Sequence, residues 1–118
     1  MSYTKIRFVS RVLREKFGVI GEVAARYIEA GYSVRVKHPT RHGDIHILAN
    51  GNGQRLVIEV FDKPGNVPER VVQDLVKKAQ LVRGKPILVL YGKGPQLDDN
   101  IYRLCKELGI KIRRVAAQ

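Results

Sequence analysis

The chain is poor in the residues that mark several common protein classes. It has one cysteine, Cys105, so no internal disulfide can form, and that residue lies in a helical pattern as a small buried apolar side chain. It has no tryptophan, and only 7% of its residues are aromatic, so stacking on single-stranded bases is less expected than contact with a duplex backbone. No apolar run approaches the roughly 20 residues that cross a bilayer, and no secretory signal or lipidation motif is visible. The expectation is a cytoplasmic protein without a membrane partner. Acidic residues are scarce too: 11 Asp and Glu stand against 22 Lys and Arg, leaving a formal charge of +11. A surplus of that size favours a polyanionic partner, most directly nucleic acid, through phosphate contacts and counterion release.

What is present reads as one domain. The 118 residues suffice for a single core and not for two, with no linker, repeat or low-complexity tract. Residues 1–17 form an N-terminal helix, with Ile6, Val9, Leu13 and Phe17 at helical spacing, and residues 18–115 form the core. A second helix spans about Val19 to Ala30 and ends at Gly31, where a left-handed residue suits glycine. Tyr32 to Val36 alternates as a strand, and a hairpin follows it. Pro68 to Val82 is helical, with Asn66-Val67-Pro68-Glu69 as its cap and opening turn. Pro86 to Tyr91 is a buried strand, Leu97 to Leu108 a helix, and Ile110 to Val115 a final strand. The order α-α-β-β-β-α-β-α-β predicts an α/β domain, a mixed sheet flanked by helices.

The hairpin carries the most informative residues. Asn50-Gly51-Asn52-Gly53 separates two alternating runs, one holding Asp44 and His46 and the other Glu59. A two-residue turn at Gly51-Asn52, or a four-residue turn, sets Asp44 directly opposite Glu59. Two facing carboxylates have Cβ atoms about 5 Å apart and repel. A hard divalent cation relieves that repulsion, binding through one or two carboxylates and substrate phosphate oxygens. Alternation also puts His42, Asp44 and His46 on one face, a set that suits Mn²⁺ or Zn²⁺ if it ligates, or phosphate contact if it does not. Other motifs carry little. Gly92-Lys93-Gly94 lacks the spacing of a phosphate loop, and Ser10 and Cys105 have no paired base for a hydrolase triad.

In sequence order, Gly21-Glu22, Gly43-Asp44-Ile45, Ile58-Glu59-Val60, Gln73-Asp74-Leu75, Lys78-Ala79, Lys85-Pro86-Ile87-Leu88-Val89 and Leu108-Gly109-Ile110 resemble the PD-(D/E)XK nuclease superfamily. The run looks most like Mrr-type restriction endonuclease domains and, more distantly, archaeal Holliday-junction resolvases, over about Gly18 to Val115. The resemblance implies a restriction-endonuclease-like fold and hydrolysis of phosphodiesters in duplex or branched DNA with Mg²⁺ or Mn²⁺. It implies Asp44 and Glu59 as metal ligands, with His46 where such sequences often carry another acid, and Glu22 as the assisting acid of the first helix.

One signature residue departs. The lysine that follows the acid by two positions falls on Phe61, which can neither orient water nor stabilise negative charge. Lys63 lies two residues further and is the candidate replacement, its stem being long and flexible; His42 is a candidate stand-in base. Arg35, Lys37, Arg41 and His42 lead to the hairpin as duplex-backbone contacts, and Lys77 and Lys78 join them from the third helix, near whose end Arg83 and Lys85 also favour the dipole. Lys111, Arg113 and Arg114 read as guards of an edge strand. Cutting both strands calls for a homodimer, for which the Ile6/Val9/Leu13 face is available. The alternative is a nucleic-acid-binding protein on the same fold that has lost the chemistry along with the lysine.

Overall fold

A computed structural model describes the backbone of residues 3–117 and the side chains of residues 7–117. The elements run α1 (Tyr3–Glu29), β1 (Ser33–His38), β2 (Ile45–Gly51), β3 (Gln54–Phe61), β4 (Gly65–Asn66), α2 (Glu69–Val82), β5 (Lys85–Tyr91), β6 (Pro95–Gln96), α3 (Asp99–Glu107) and β7 (Lys111–Val115). The two expected N-terminal helices are the arms of α1, which breaks at Gly18 (φ 58°, ψ −129°), a backbone conformation open to glycine alone. The arms fold back on each other. A Cβ at Gly21 would fall 1.9 Å from the Leu13 carbonyl oxygen, and Arg14 reaches Glu29 at 3.8 Å. Among the described residues no helix is long and apolar enough to cross a membrane.

The main sheet has the order β1-β2-β3-β5-β7, antiparallel across β1-β2-β3 and parallel across β3-β5-β7. The hairpin followed by two crossovers is the expected mixed sheet. A small parallel pair, β4 with β6, ties together the loops that leave β3 and β5. α1 covers one face, where Val23 and Ala24 pack on Ile47, Ala49, Leu56, Ile58, Ile87 and Val89. On the other face α2 and α3 set Val72, Leu75, Ala79, Ile101 and Cys105 against Leu48, Val57, Leu88 and Leu90. Burial pushes the Cys105 thiol pKa up, as befits a packing residue.

Two expectations need correction. The hairpin turn is Asn52-Gly53, both residues at positive φ, and Gly51 pairs with Gln54. Both central residues of a type I′ turn need positive φ, which the second Asn-Gly supplies. Gly51 serves a different purpose: a Cβ there would lie 2.8 Å from the Tyr32 ring. This register differs from the expected one by two positions, a slip that keeps every side chain on its face, so apolar patterning could not separate the two. It brings His46, not Asp44, level with Glu59, and leaves Asp44 level with Phe61. Second, Pro68 caps α2 without a side-chain hydrogen bond, and Asn66 lies in β4; it is Asp98 that caps a helix, accepting from the Ile101 amide at 2.8 Å. Of the face offered for a dimer, Val9 and Leu13 are half-buried. Leu13 packs on the α1-side core, Phe8 and Val12 are the exposed apolar residues of that arm, and the Ile6 side chain lies outside the described residues.

The close approach at Gly21 predicts that Gly21→Ala pries the arms of α1 apart and destabilises the protein by about 1–3 kcal/mol. Urea unfolding should show a lower midpoint at an unchanged slope. An unchanged midpoint would contradict the contact.

Candidate active site

β2 and β3 part company just where the acidic residues lie. Their ladder ends at the Ile47–Ile58 pair, while β1 stays paired with β2 as far as Ile45. Beyond the fork the Val60 amide finds no strand carbonyl and donates instead to Nδ1 of His46 at 3.0 Å. An acceptor Nδ1 leaves the proton on Nε2, which sits 3.2 Å from Oε2 of Glu59. The imidazole therefore fills the gap in the sheet and holds one oxygen of the carboxylate.

The other oxygen of Glu59 belongs to α2. Lys78 Nζ lies 3.3 Å from Oε1, and the two side chains are only 9% and 13% exposed. The helix delivers this lysine because Val71, Leu75, Lys78 and Val82 follow a 4-3-4 spacing, the inner stripe of an amphipathic helix. Lys78 therefore occupies a core position, not the surface position that reading it as a phosphate contact requires. A lysine interrupting an inward stripe is the sequence signal that could have identified it. Gly43 closes the cluster: a Cβ there would be 3.6 Å from Lys78 Cε and 3.8 Å from Nζ, and its φ of +102° turns the chain into β2.

The remaining candidates divide by position. Asp44 follows Gly43 in the loop before β2; it is exposed and makes no hydrogen bond or ion pair with the described residues. His42 is exposed in the same loop, its backbone amide held by Thr40 Oγ1 at 3.1 Å, so the expected alternating face of His42, Asp44 and His46 does not exist as strand. Both ring nitrogens of His46 are engaged, Nδ1 by the Val60 amide and Nε2 by Glu59. Lys63 is exposed in the bend beyond β3, without a hydrogen bond or ion pair among the described residues. Arg35 pairs with Leu48 and so shares the Glu59 face of the sheet, with Arg41 exposed nearby in chain order. Lys37 turns away at a positive φ with its ammonium over the Phe17 ring, and Lys77 is exposed on α2. Glu22 belongs to α1, on the opposite face, with Oε2 buried and lacking a hydrogen-bond partner among the described residues.

No family model matches this sequence, and no curated protein matches it. Solved structures do share its fold. A repair endonuclease from Pyrococcus abyssi superposes with a TM-score of 0.62 at 17% identity, covering 100% of this chain and 50% of its own. SfsA of Pyrococcus furiosus, in complex with Ca²⁺, gives 0.62 at 12% identity, covering 80% and 55%. EndoMS in a complex with double-stranded DNA gives 0.58 at 17% identity, covering 79% and 40%. The chain thus spans about half the length of these proteins or somewhat less. At such identities the likeness establishes the fold, a restriction-endonuclease-like mixed sheet flanked by helices.

The hydrogen bond from Val60 predicts the Nε2-protonated tautomer of His46. Two-bond ¹H–¹⁵N correlation of the ring at neutral pH checks it; an Nδ1-protonated ring would contradict the fork geometry.

Proposed function

We propose that the protein is a metal-dependent DNA endonuclease of the PD-(D/E)XK type, in which Lys78 of α2 replaces the lysine missing from β3. The observation that carries this reading is the ammonium of Lys78 on Glu59 Oε1. It restores the pairing of acid and lysine on the face where Phe61 stands instead. The fold shared with a repair endonuclease and with a protein solved on double-stranded DNA supports the reading, as does the +11 charge. Lys63, exposed beyond β3, is the competing lysine.

The donor set suits a hard divalent ion. Asp44 offers an unpaired, exposed carboxylate one residue from Gly43, which lies against Lys78, and Glu59 offers a second. Among the described residues no group of three His, Cys, Asp or Glu surrounds a possible ion. Two carboxylates completed by water and substrate phosphate are the usual arrangement for Mg²⁺, and Mn²⁺ accepts the same oxygens. Such an ion, of the kind seen as Ca²⁺ with SfsA, would polarise the scissile phosphate and make a water more acidic.

The chain's own residues supply the rest. Lys78, nearly buried, places a fixed positive charge where negative charge develops on the phosphate, and a fixed charge of that kind needs no reorganisation during reaction. His46 orients the Glu59 carboxylate through its Nε2 proton. Arg35, Arg41 and His42, with Lys37 and Lys77 more peripheral, contact the phosphate backbone and set its register. Glu22, carried by α1 on the opposite face, has the part of an assisting acid from the sequence resemblance alone. Two copies would address the two strands of a duplex, giving a homodimer, with Phe8 and Val12 as exposed apolar contacts. A second reading, binding of DNA without cleavage, draws on the engagement of both Glu59 oxygens by Lys78 and His46.

Linear and branched duplex DNA incubated with Mg²⁺ or Mn²⁺ tests the proposal. Cleavage should fall at least about 100-fold in Asp44→Asn, Glu59→Gln and Lys78→Met. Lys63→Ala should change it little. Cleavage that survives chelation, or that depends on Lys63 and not on Lys78, contradicts the assignment; shifted DNA with no cleavage by the natural protein supports the second reading.

A further inference from the structure

A group of cations lies behind the sheet, opposite Glu59. There α1 covers β1, β2 and β3 but stops short of β7, leaving a groove of about 1040 Å³. Among the described residues five cations line it, Arg26, Lys85, Lys111, Arg113 and Arg114, and no acidic residue does. None of the five forms an ion pair among the described residues. Lys85 is held only by a neutral amide, Gln54 Oε1 at 3.2 Å, and Arg114 by the carbonyls of Gly92 and Pro95. A concave surface of one sign focuses potential on its mouth.

Three of these charges are regularly spaced. Lys111 pairs with Ile87 and Arg113 with Val89, and Ile87 and Val89 both face α1. Lys85, two residues before Ile87 and paired with Leu56, lies on the same face. Lys85, Lys111 and Arg113 thus occupy successive same-face levels, each about 6.6 Å from the next along the strands. A row of evenly stepped cations matches a linear polyanion better than a compact one.

The far wall is aromatic and the floor apolar. Tyr27 and Tyr32 meet edge to face at 5.8 Å, above Val23, Leu56, Pro86 and Ile87. Tyr32 is anchored by Gln54 Nε2 at 2.9 Å. Hydrogen bonding from Asn52 and then Gln54 holds its hydroxyl pKa below the ordinary value, with smaller contributions from Arg113 and Lys111. Charge on one wall and rings on the other complement a chain that has phosphates along one edge and flat bases along the other.

We infer that this groove binds a single nucleic-acid strand, its phosphates on the Lys85-Lys111-Arg113 row and its bases toward Tyr27 and Tyr32. The surface is separate from the Glu59 site, and its occupancy does not depend on cleavage there. A recess between α1 and β7 offers charge and rings to one strand together. The same row of cations also guards the exposed β7 edge, so one set of residues serves both purposes.

Fluorescence anisotropy in EDTA, which prevents any metal-dependent cleavage, tests the inference with a labelled oligothymidylate and the full chain. The triple variant Lys85→Gln/Lys111→Gln/Arg113→Gln should bind at least about tenfold more weakly and lose about 2 units from the slope of log affinity against log salt, at about 0.7 per phosphate contact. A charge-matched control, Lys93→Gln/Arg103→Gln/Lys106→Gln, should lose much less slope. Tyr27→Leu should weaken oligothymidylate but not an abasic strand of equal length. An unchanged slope in the first triple variant would overturn the inference. So would an equal loss in the control, or competition by polyglutamate as effective as by oligothymidylate.

Discussion

The contact on which the site depends is the ion pair between Glu59 and Lys78. β3 is the middle strand of the sheet, and a carboxylate between Ile58 and Val60 is costly to bury unless charge and hydrogen bonds meet both oxygens. Lys78 meets one oxygen and His46 the other. Stability alone does not call for this arrangement, since well-packed apolar residues often replace a buried ion pair at no cost or with a gain. Leucine or methionine at position 78 would continue the stripe of Val71, Leu75 and Val82. A local rule broken without benefit to packing supports the chemical role proposed for Lys78.

The fork between β2 and β3 has the same character. A sheet that stayed paired through Ile45 would have no place for the His46 ring and would hold Asp44 in a ladder. By parting there, the strands leave the Val60 amide to a side chain and Asp44 at the mouth of the site. Irregular backbone thus positions the reactive groups while regular backbone on both sides holds them still. The positive φ of Gly43 belongs to the same device, bringing the loop alongside Lys78.

Most of the fold was legible because each element obeyed its own period. Val71, Leu75 and Ala79 marked α2, the run from Pro86 marked β5, and Gly18 separated the arms of α1. The register of the hairpin was not legible. Two consecutive Asn-Gly pairs offered two turns, and a slip of two residues preserves the faces. Only the packing of Tyr32 on Gly51, a contact between distant residues, distinguishes the turns. Asp44 and Glu59 were singled out because the expected turn set them opposite each other, and the observed register puts His46 there instead of Asp44. Lys78 was grouped with surface cations because composition weighs a lysine by its charge, whereas the helix weighs it by its position on the stripe. The groove behind the sheet was likewise hidden, since Lys85, Lys111 and Arg113 align only through strand pairing.

The central claim is that Lys78 performs from a helix the work of the lysine absent at Phe61, and the most direct measurement is a rescue. Phe61 lies on the Glu59 face of β3, partly buried beside the α2-side core. The double variant Phe61→Lys/Lys78→Met returns an ammonium to the strand and removes the one on the helix. The account predicts that Mn²⁺-dependent cleavage, lost in Lys78→Met, returns in the double variant to within about tenfold of the natural protein. Undiminished cleavage by Lys78→Met, with Phe61 in place, would contradict it.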